Sequence, residues 1–296
     1  MKRDFQQLPS QATPMPYAVP SLADLPSSLQ KAAMQSVGST EKPILICVFP
    51  GRTCLKNQQS WEYVDEQALL FTGDGIFQIQ APTSPGQDAR IIYLHVLDLL
   101  YTRLSLLLMY GRLELVDESL SRVVVEFNAA GFDIIQAGLQ ELLGISCGRN
   151  TFSIPNAPQT QTIQSELGKL SFKFKNGLYL YGLLPEEHVL GFVFQPAIWG
   201  QRWHLFPLKM SETTLLALTD KQLIVVEEQS RSRFPAYGWI FTFYPRKAIK
   251  NIGVTSSKVW QGLIIESKSR VGLNDQRILL EQVNSLAWQE LWPKYC

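Results

Sequence analysis

A chain of 296 residues, 46% of them apolar and 18% charged, has ample material for buried interiors, exceeds the length at which single cores stop growing, and lacks the composition of a disordered protein. Lys and Arg total 27 against 26 for Asp and Glu, and a net charge of +1 excludes a global field that would draw the molecule onto nucleic acid. Cys47, Cys54, Cys147 and Cys296 have neither zinc-site spacing nor the density of a disulfide scaffold, and they fit a reducing cytoplasm.

Residues 1–25, with Pro9, Pro14, Pro16 and Pro20 among Gln and Ser, are expected to form a disordered tail. Lys2 and Arg3 are not followed by the apolar run of a signal peptide. A short helix is expected over Leu25–Ala33. Strands follow near 43–49, 68–71, 75–80, 90–96, 101–108, 111–116 and 122–127, rich in β-branched and aromatic residues and bounded by turn formers. The most apolar stretch, Ile91 to Met109, is interrupted by His95, Asp98 and Arg103 and reads as core strands, with no integral membrane segment. Phe132, Ile135, Leu139 and Leu142 then form a helical stripe, weakened by Gly131 and Gly138.

Gly148 to Leu167 holds two prolines and two charged residues and reads as an exposed connection. It places a first domain at 26–147, a linker at 148–168 and a second domain at 169–296. In "FKFKNGLYLY", Asn176-Gly177 signals a hairpin, while the position matches the short helix ahead of the first strand in the other half. Strands are expected at His188–Gln195, Thr214–Leu218, Gln222–Glu228, Gly238–Tyr244, Ile249–Thr255, Trp260–Glu266 and Gln276–Glu281. A helix striped by Val283, Leu286, Ala287 and Leu291 closes the chain.

The halves repeat. "EKPILICVFPG" from Glu41 aligns with "EHVLGFVFQPA" from Glu187 at an offset of 146 positions. "ALLFTGDGIFQIQ" aligns with "LLALTDKQLIVVE", Thr72 falling on Thr219 at 147. Leu104 falls on Ile252 at 148 and Leu113 on Leu263 at 150. A repeat this long is a whole domain, not a solenoid unit. Each half therefore reads as a seven-stranded antiparallel barrel or orthogonal sandwich closed by a C-terminal helix. With Leu216-Ala217-Leu218-Thr219-Asp220-Lys221-Gln222-Leu223 matching an L-x-x-T-D-x-x-[IL] hairpin, the chain resembles the pleckstrin-homology-like superfamily, in particular its bacterial PH and GRAM-like group. The first half departs from that pattern with Thr72-Gly73-Asp74-Gly75. The resemblance implies a binding module, with ligand contacts in the long connection between the first two strands.

The chemistry-bearing residues do not form a catalytic set. His95 reads as a structural strand histidine and His188 as a surface one. No phosphate-cradling or zinc-binding signature occurs, and no cofactor is implied. Glu186-Glu187 and Glu227-Glu228 read as solvated charges. Two features are candidate sites. The 18-residue connections, 50–67 and 196–213, carry Arg52 and Lys56 in one half and Trp199, Arg202, Trp203 and His204 in the other. Trp and Arg suit a protein-binding hot spot, while packing over the barrel mouth is the competing role for the tryptophans. The second feature is an acid-free stretch from Gln229 through Ile265 with Arg231, Arg233, Arg246, Lys247, Lys250 and Lys258. The expected function is a non-catalytic cytoplasmic adaptor recognising a protein or peptide through loops and edge strands. The alternative is peripheral binding to anionic lipid through that basic segment.

Overall fold

The computed structural model describes residues 14–37, 42–56, 60–82, 84, 87–148, 157–202, 206–229, 238–256, 261–270 and 274–295. In the first half, β1 (Tyr17–Ala18) and α1 (Ser27–Val37) precede β2 (Leu45–Phe49). A hairpin of β3 (Arg52–Lys56) and β4 (Ser60–Val64) leads to β5 (Gln67–Phe71), β6 (Gly75–Gln80) and β7 (Arg90–His95). Then come β8 (Leu99–Leu107), β9 (Tyr110–Asp117), β10 (Arg122–Asn128) and α2 (Phe132–Cys147). In the second half, α3 (Ala157–Gly168) and α4 (Phe172–Gly177), which widens into a π-helical turn at Leu178–Gly182, precede β11 (Val189–Gln195). The hairpin of β12 (Ile198–Arg202) and β13 (Phe206–Ser211) leads to β14 (Thr214–Thr219), β15 (Gln222–Glu228) and β16 (Gly238–Pro245). The chain ends with β17 (Ile249–Ser256), β18 (Gln261–Ser267), β19 (Asn274–Leu280) and α5 (Gln282–Tyr295).

The protein is mainly β, with antiparallel sheets and a C-terminal helix, and among the described residues no sheet closes into a barrel. Instead of two self-contained units, the halves share a seven-stranded sheet in the order β10-β9-β8-β16-β15-β14-β11, three strands from the first half and four from the second. The junction is antiparallel, Leu104 opposite Phe241 and Leu107 opposite Gly238. An open sheet edge presents unpaired backbone donors and acceptors, and the two halves satisfy theirs on each other. A five-stranded sheet (β1-β2-β5-β6-β7) and a three-stranded sheet (β17-β18-β19) complete the molecule, beside the β3–β4 and β12–β13 hairpins.

Strand alternation partitions three interiors. Along β14, Leu215 and Ala217 enter one core and Leu216 and Leu218 another; along β15, Ile224 and Val226 oppose Leu223 and Val225 in the same way. The shared sheet is thus covered on both faces, which is why "TLLALT" and "LIVV" are continuous apolar runs. One face packs on the five-stranded sheet, α2 and α4; the other packs on the three-stranded sheet and Trp288 of α5, and it takes Leu100, Tyr101 and Val116 from the first half. A third core lies under α1, on the outer face of β2, β5 and β6.

The two halves repeat element by element. Cys47 and Val193 face their own half's interior at offset 146, as do Leu69 and Leu216 at 147. From β7 to β9 the offset is 150, Leu104 facing Leu113 across β8–β9 and Val254 facing Leu263 across β17–β18, and at β10 it becomes 153, Val125 facing Leu113 as Ile278 faces Leu263. The partner of Leu104 is therefore Val254, two positions beyond the expected Ile252. A two-residue slip leaves every side chain on its own face, so the apolar pattern alone does not detect it. The helical alternative for "FKFKNGLYLY" is the one realised. α4 with its turn repeats α1, Leu29 matching Phe174 and Ala33 matching Leu178, all buried.

Two further expectations change. Of the expected disordered tail, residues 14–25 are ordered against the first half: Tyr17 and Ala18 pair with Val48 and Cys47, and the Val19 N–H donates to the Ile46 carbonyl at 3.1 Å. Proline is compatible with an edge strand, so its abundance did not preclude this. The expected linker contains α3, whose Leu167 is buried against the shared core, with Pro158 tolerated in the first turn. The other strands fall where the alternation places them; β3, β4, β12 and β13 lie within what reads as irregular connection.

Candidate functional site

The two long connections are hairpins. In the second half Trp199 lies opposite Lys209, whose ammonium sits 5.9 Å from the indole centroid and pairs with Glu212. Trp199 is 59% exposed and Met210 41%, while Ile198 beneath them is buried. The tryptophan projects outward and does not close over a core, so the packing role does not apply to it. Arg202 ends β12; Trp203 and His204 lie outside the described residues. In the first half Lys56 ends β3, and Arg52 turns inward to an ion pair with Glu126 of β10, which also accepts from the Tyr110 hydroxyl at 2.8 Å. Arg52 is thereby a structural group.

The basic stretch is only partly assembled. Arg231, Arg233 and Lys258 lie outside the described residues. Arg246 and Lys247 form the turn between β16 and β17, where the Arg246 N–H donates to the Lys221 carbonyl at 3.2 Å, and Lys250 follows on β17. Lys247 and Lys250 are exposed. Acids arrive at this corner from the first half. Asp98 and Glu118 lie in the field of Lys247, and Arg270 bonds Glu118 at 2.9 Å and lies 3.5 Å from Asp98. The local excess of cations in sequence is thus offset in space by residues more than a hundred positions away.

The sequence reading missed a buried polar cluster. Glu187 is 9% exposed and not solvated; its carboxyl accepts from the Leu184 N–H at 2.6 Å and from Gln222 Nε2 at 3.0 Å and lies against the Thr219 hydroxyl. Thr219 Oγ1 in turn accepts from the Gln222 N–H at 2.9 Å and contacts the Gln222 carbonyl, closing the β14–β15 turn. Asp220 is buried too, accepting from the His188 N–H at 2.9 Å. Burial pushes the Glu187 carboxyl up to about 7 against the opposing hydrogen bonds. The signal lay in the T-D-x-Q turn itself, whose polar residues sit between two wholly apolar strands. In the first half Thr72 makes the same closure with Gly75, its hydroxyl 3.1 Å from both the N–H and the carbonyl. His95 is half-buried and its ring accepts from the Leu97 N–H, a structural role as expected.

Beside this cluster an open cleft of about 510 Å³ runs between the halves, walled by Ile44 and Leu45 ahead of and on β2, Ala137 and Glu141 on α2, and Pro185 and Lys221 of the second half. Its walls are largely apolar, and Lys221 Nζ is drawn to the Pro185 carbonyl at 3.2 Å. Among the described residues no group of three His, Cys, Asp or Glu side chains could hold a metal ion, and no helix is long and apolar enough to cross a membrane. Compared with family models, curated proteins and solved structures, the chain matches none.

Proposed function

We propose that this chain is a non-catalytic cytoplasmic adaptor that recruits a protein or peptide through the β12–β13 hairpin, in the manner of a tandem pleckstrin-homology-like module. The observation that carries the reading is Trp199: a large aromatic side chain, mostly exposed, on a hairpin strand beside Lys209 and next to the buried Ile198. Exposed aromatic anchors of this kind dominate binding energy when a partner covers them. The fourfold-then-threefold strand order followed by a helix in each half, with the hairpin inserted at the same place, supports the family resemblance.

The test is crosslinking and affinity capture with the full chain at native abundance, wild type against Trp199→Ala. A reproducible partner that is lost, or weakened by about tenfold or more as expected of a hot-spot residue, supports the reading. Absence of any reproducible partner, or a partner indifferent to Trp199, overturns it. The lipid alternative keeps one supporting observation, the exposed Lys247 and Lys250 at one corner. Sedimentation with anionic vesicles that weakens as salt rises would favour it.

A further inference from the structure

The junction between the halves is built from elements that the repeat supplies twice. β8 offers its edge to β16, with Leu104 opposite Phe241 and Thr102 opposite Phe243, and beside that junction Gln136 Nε2 of α2 donates to the Leu180 carbonyl at 2.7 Å. At an offset of 150 the counterpart of β8 is β17 and that of β7 is β16, and at 153 that of α2 is α5, Gly138 against Leu45 matching Leu291 against Gly191. The molecule therefore carries at its far end a second copy of the surface that receives β16, and at its near end a second copy of β16 itself. Both are unoccupied by any strand among the described residues, β17 ending the three-stranded sheet and β7 the five-stranded one.

Exposure at the two ends follows the same correspondence. Ile91 and Tyr93 of β7 stand where the wholly buried Phe241 and Phe243 stand in β16, yet they are 42% and 41% exposed. Gln289 of α5 stands where Gln136 reaches across, and it is exposed. At the near end α1 presents Met34, 48% exposed, next to Gln35, the counterpart of Leu180. Apolar side chains whose counterparts line the internal junction are thus left open at the near end, and the far end presents the free edge of β17.

We propose that a second copy of this chain binds head to tail, β7 of one copy adding antiparallel to β17 of the next and continuing the β8–β16 junction between molecules. The internal register carries over directly: Val254 opposite Ile91, Ile252 opposite Tyr93 and Thr255 opposite Arg90. It pairs β-branched and aromatic residues and sets no like charges against each other. Such a contact uses two different surfaces, so it propagates into an open chain or closes into a ring. This goes beyond recruitment of a foreign partner, and either reading stands if the other fails.

The test is sedimentation velocity of the full chain with concentration raised to about 1 mM, the weak end of specific affinity. Ile91→Lys blocks the near end and Thr255→Lys, which sets a like charge opposite Arg90, the far end, both at exposed positions, with Met34→Glu as a near-end variant outside the sheet. Circular dichroism confirms folding of each. Wild type should grow beyond dimer, and each variant alone should remain monomeric. An equimolar mixture of Ile91→Lys and Thr255→Lys should give dimers and nothing larger, because one competent pair of ends remains. A wild type monomeric throughout, a dimer that survives either variant, or folded variants that fail to pair on mixing would each overturn the proposal.

Discussion

Thr219 Oγ1 carries one hydrogen but lies against two acceptors, a Glu187 carboxylate oxygen and the Gln222 carbonyl. A proton on Glu187 supplies the missing donor, and burial pushes the group the same way, to about 7. The folded state then binds a proton more tightly than the unfolded chain, so stability is greatest below the ordinary carboxylate range and falls as pH rises toward 7. Urea midpoints measured from pH 5 to 8 should decline for wild type by an amount worth about 3 kcal/mol at most and stay nearly flat for Glu187→Gln. An unchanged slope in the variant would assign the pH dependence to other groups. Residue types at such positions are legible in sequence; their burial is not. Glu186-Glu187 looks solvated because adjacent acids on a polar turn ordinarily are, and only the fold brings Leu184, Thr219 and Gln222 around one of them.

Helix α2 carries two glycines with opposite consequences. At Gly138 an added Cβ would lie 2.8 Å from the Phe71 ring and 2.9 Å from Leu45, so glycine there lets the helix seat closely on β2 and β5. At Gly144 nothing lies within 4 Å. Gly138→Val should therefore destabilise by about 2 kcal/mol through overpacking, while Gly144→Ala should stabilise by about 0.5–1 kcal/mol through helix propensity. Thermal unfolding of the two variants checks both signs. Strands and closing helices were legible because period-two and helical patterns survive in apolar positions such as Leu69, Phe71, Ile135 and Leu142. The hairpins were not, since short segments such as Arg52–Lys56 and Ile198–Arg202 show no clean apolar–polar alternation. Nor was α3, whose Pro158 and run of Gln and Thr mark a connection and whose contribution to the core comes late, at Leu167.

At the scale of the molecule, what sequence could not supply is the union of the halves. An open strand edge has no composition of its own; β16 looks the same whether its outer edge meets water or β8. The doubly apolar runs of β14 and β15 were the available hint, because strands covered on one face alone would alternate with polar residues. Arg103 of β8 ties the junction to the three-stranded sheet as well, reaching Thr242 at 3.3 Å and Gln276 at 3.2 Å. Leu100, Tyr101 and Val116 complete the second half's core, so neither half buries its interior alone. Native-state hydrogen exchange on the intact chain tests this most directly. Amides of Leu104–Leu107 and Ile240–Phe243 lie at the centre of a seven-stranded sheet and should exchange together through the global unfolding reaction. Exchange of β16 amides orders of magnitude faster than those of β15, as at a free edge, would contradict the shared sheet.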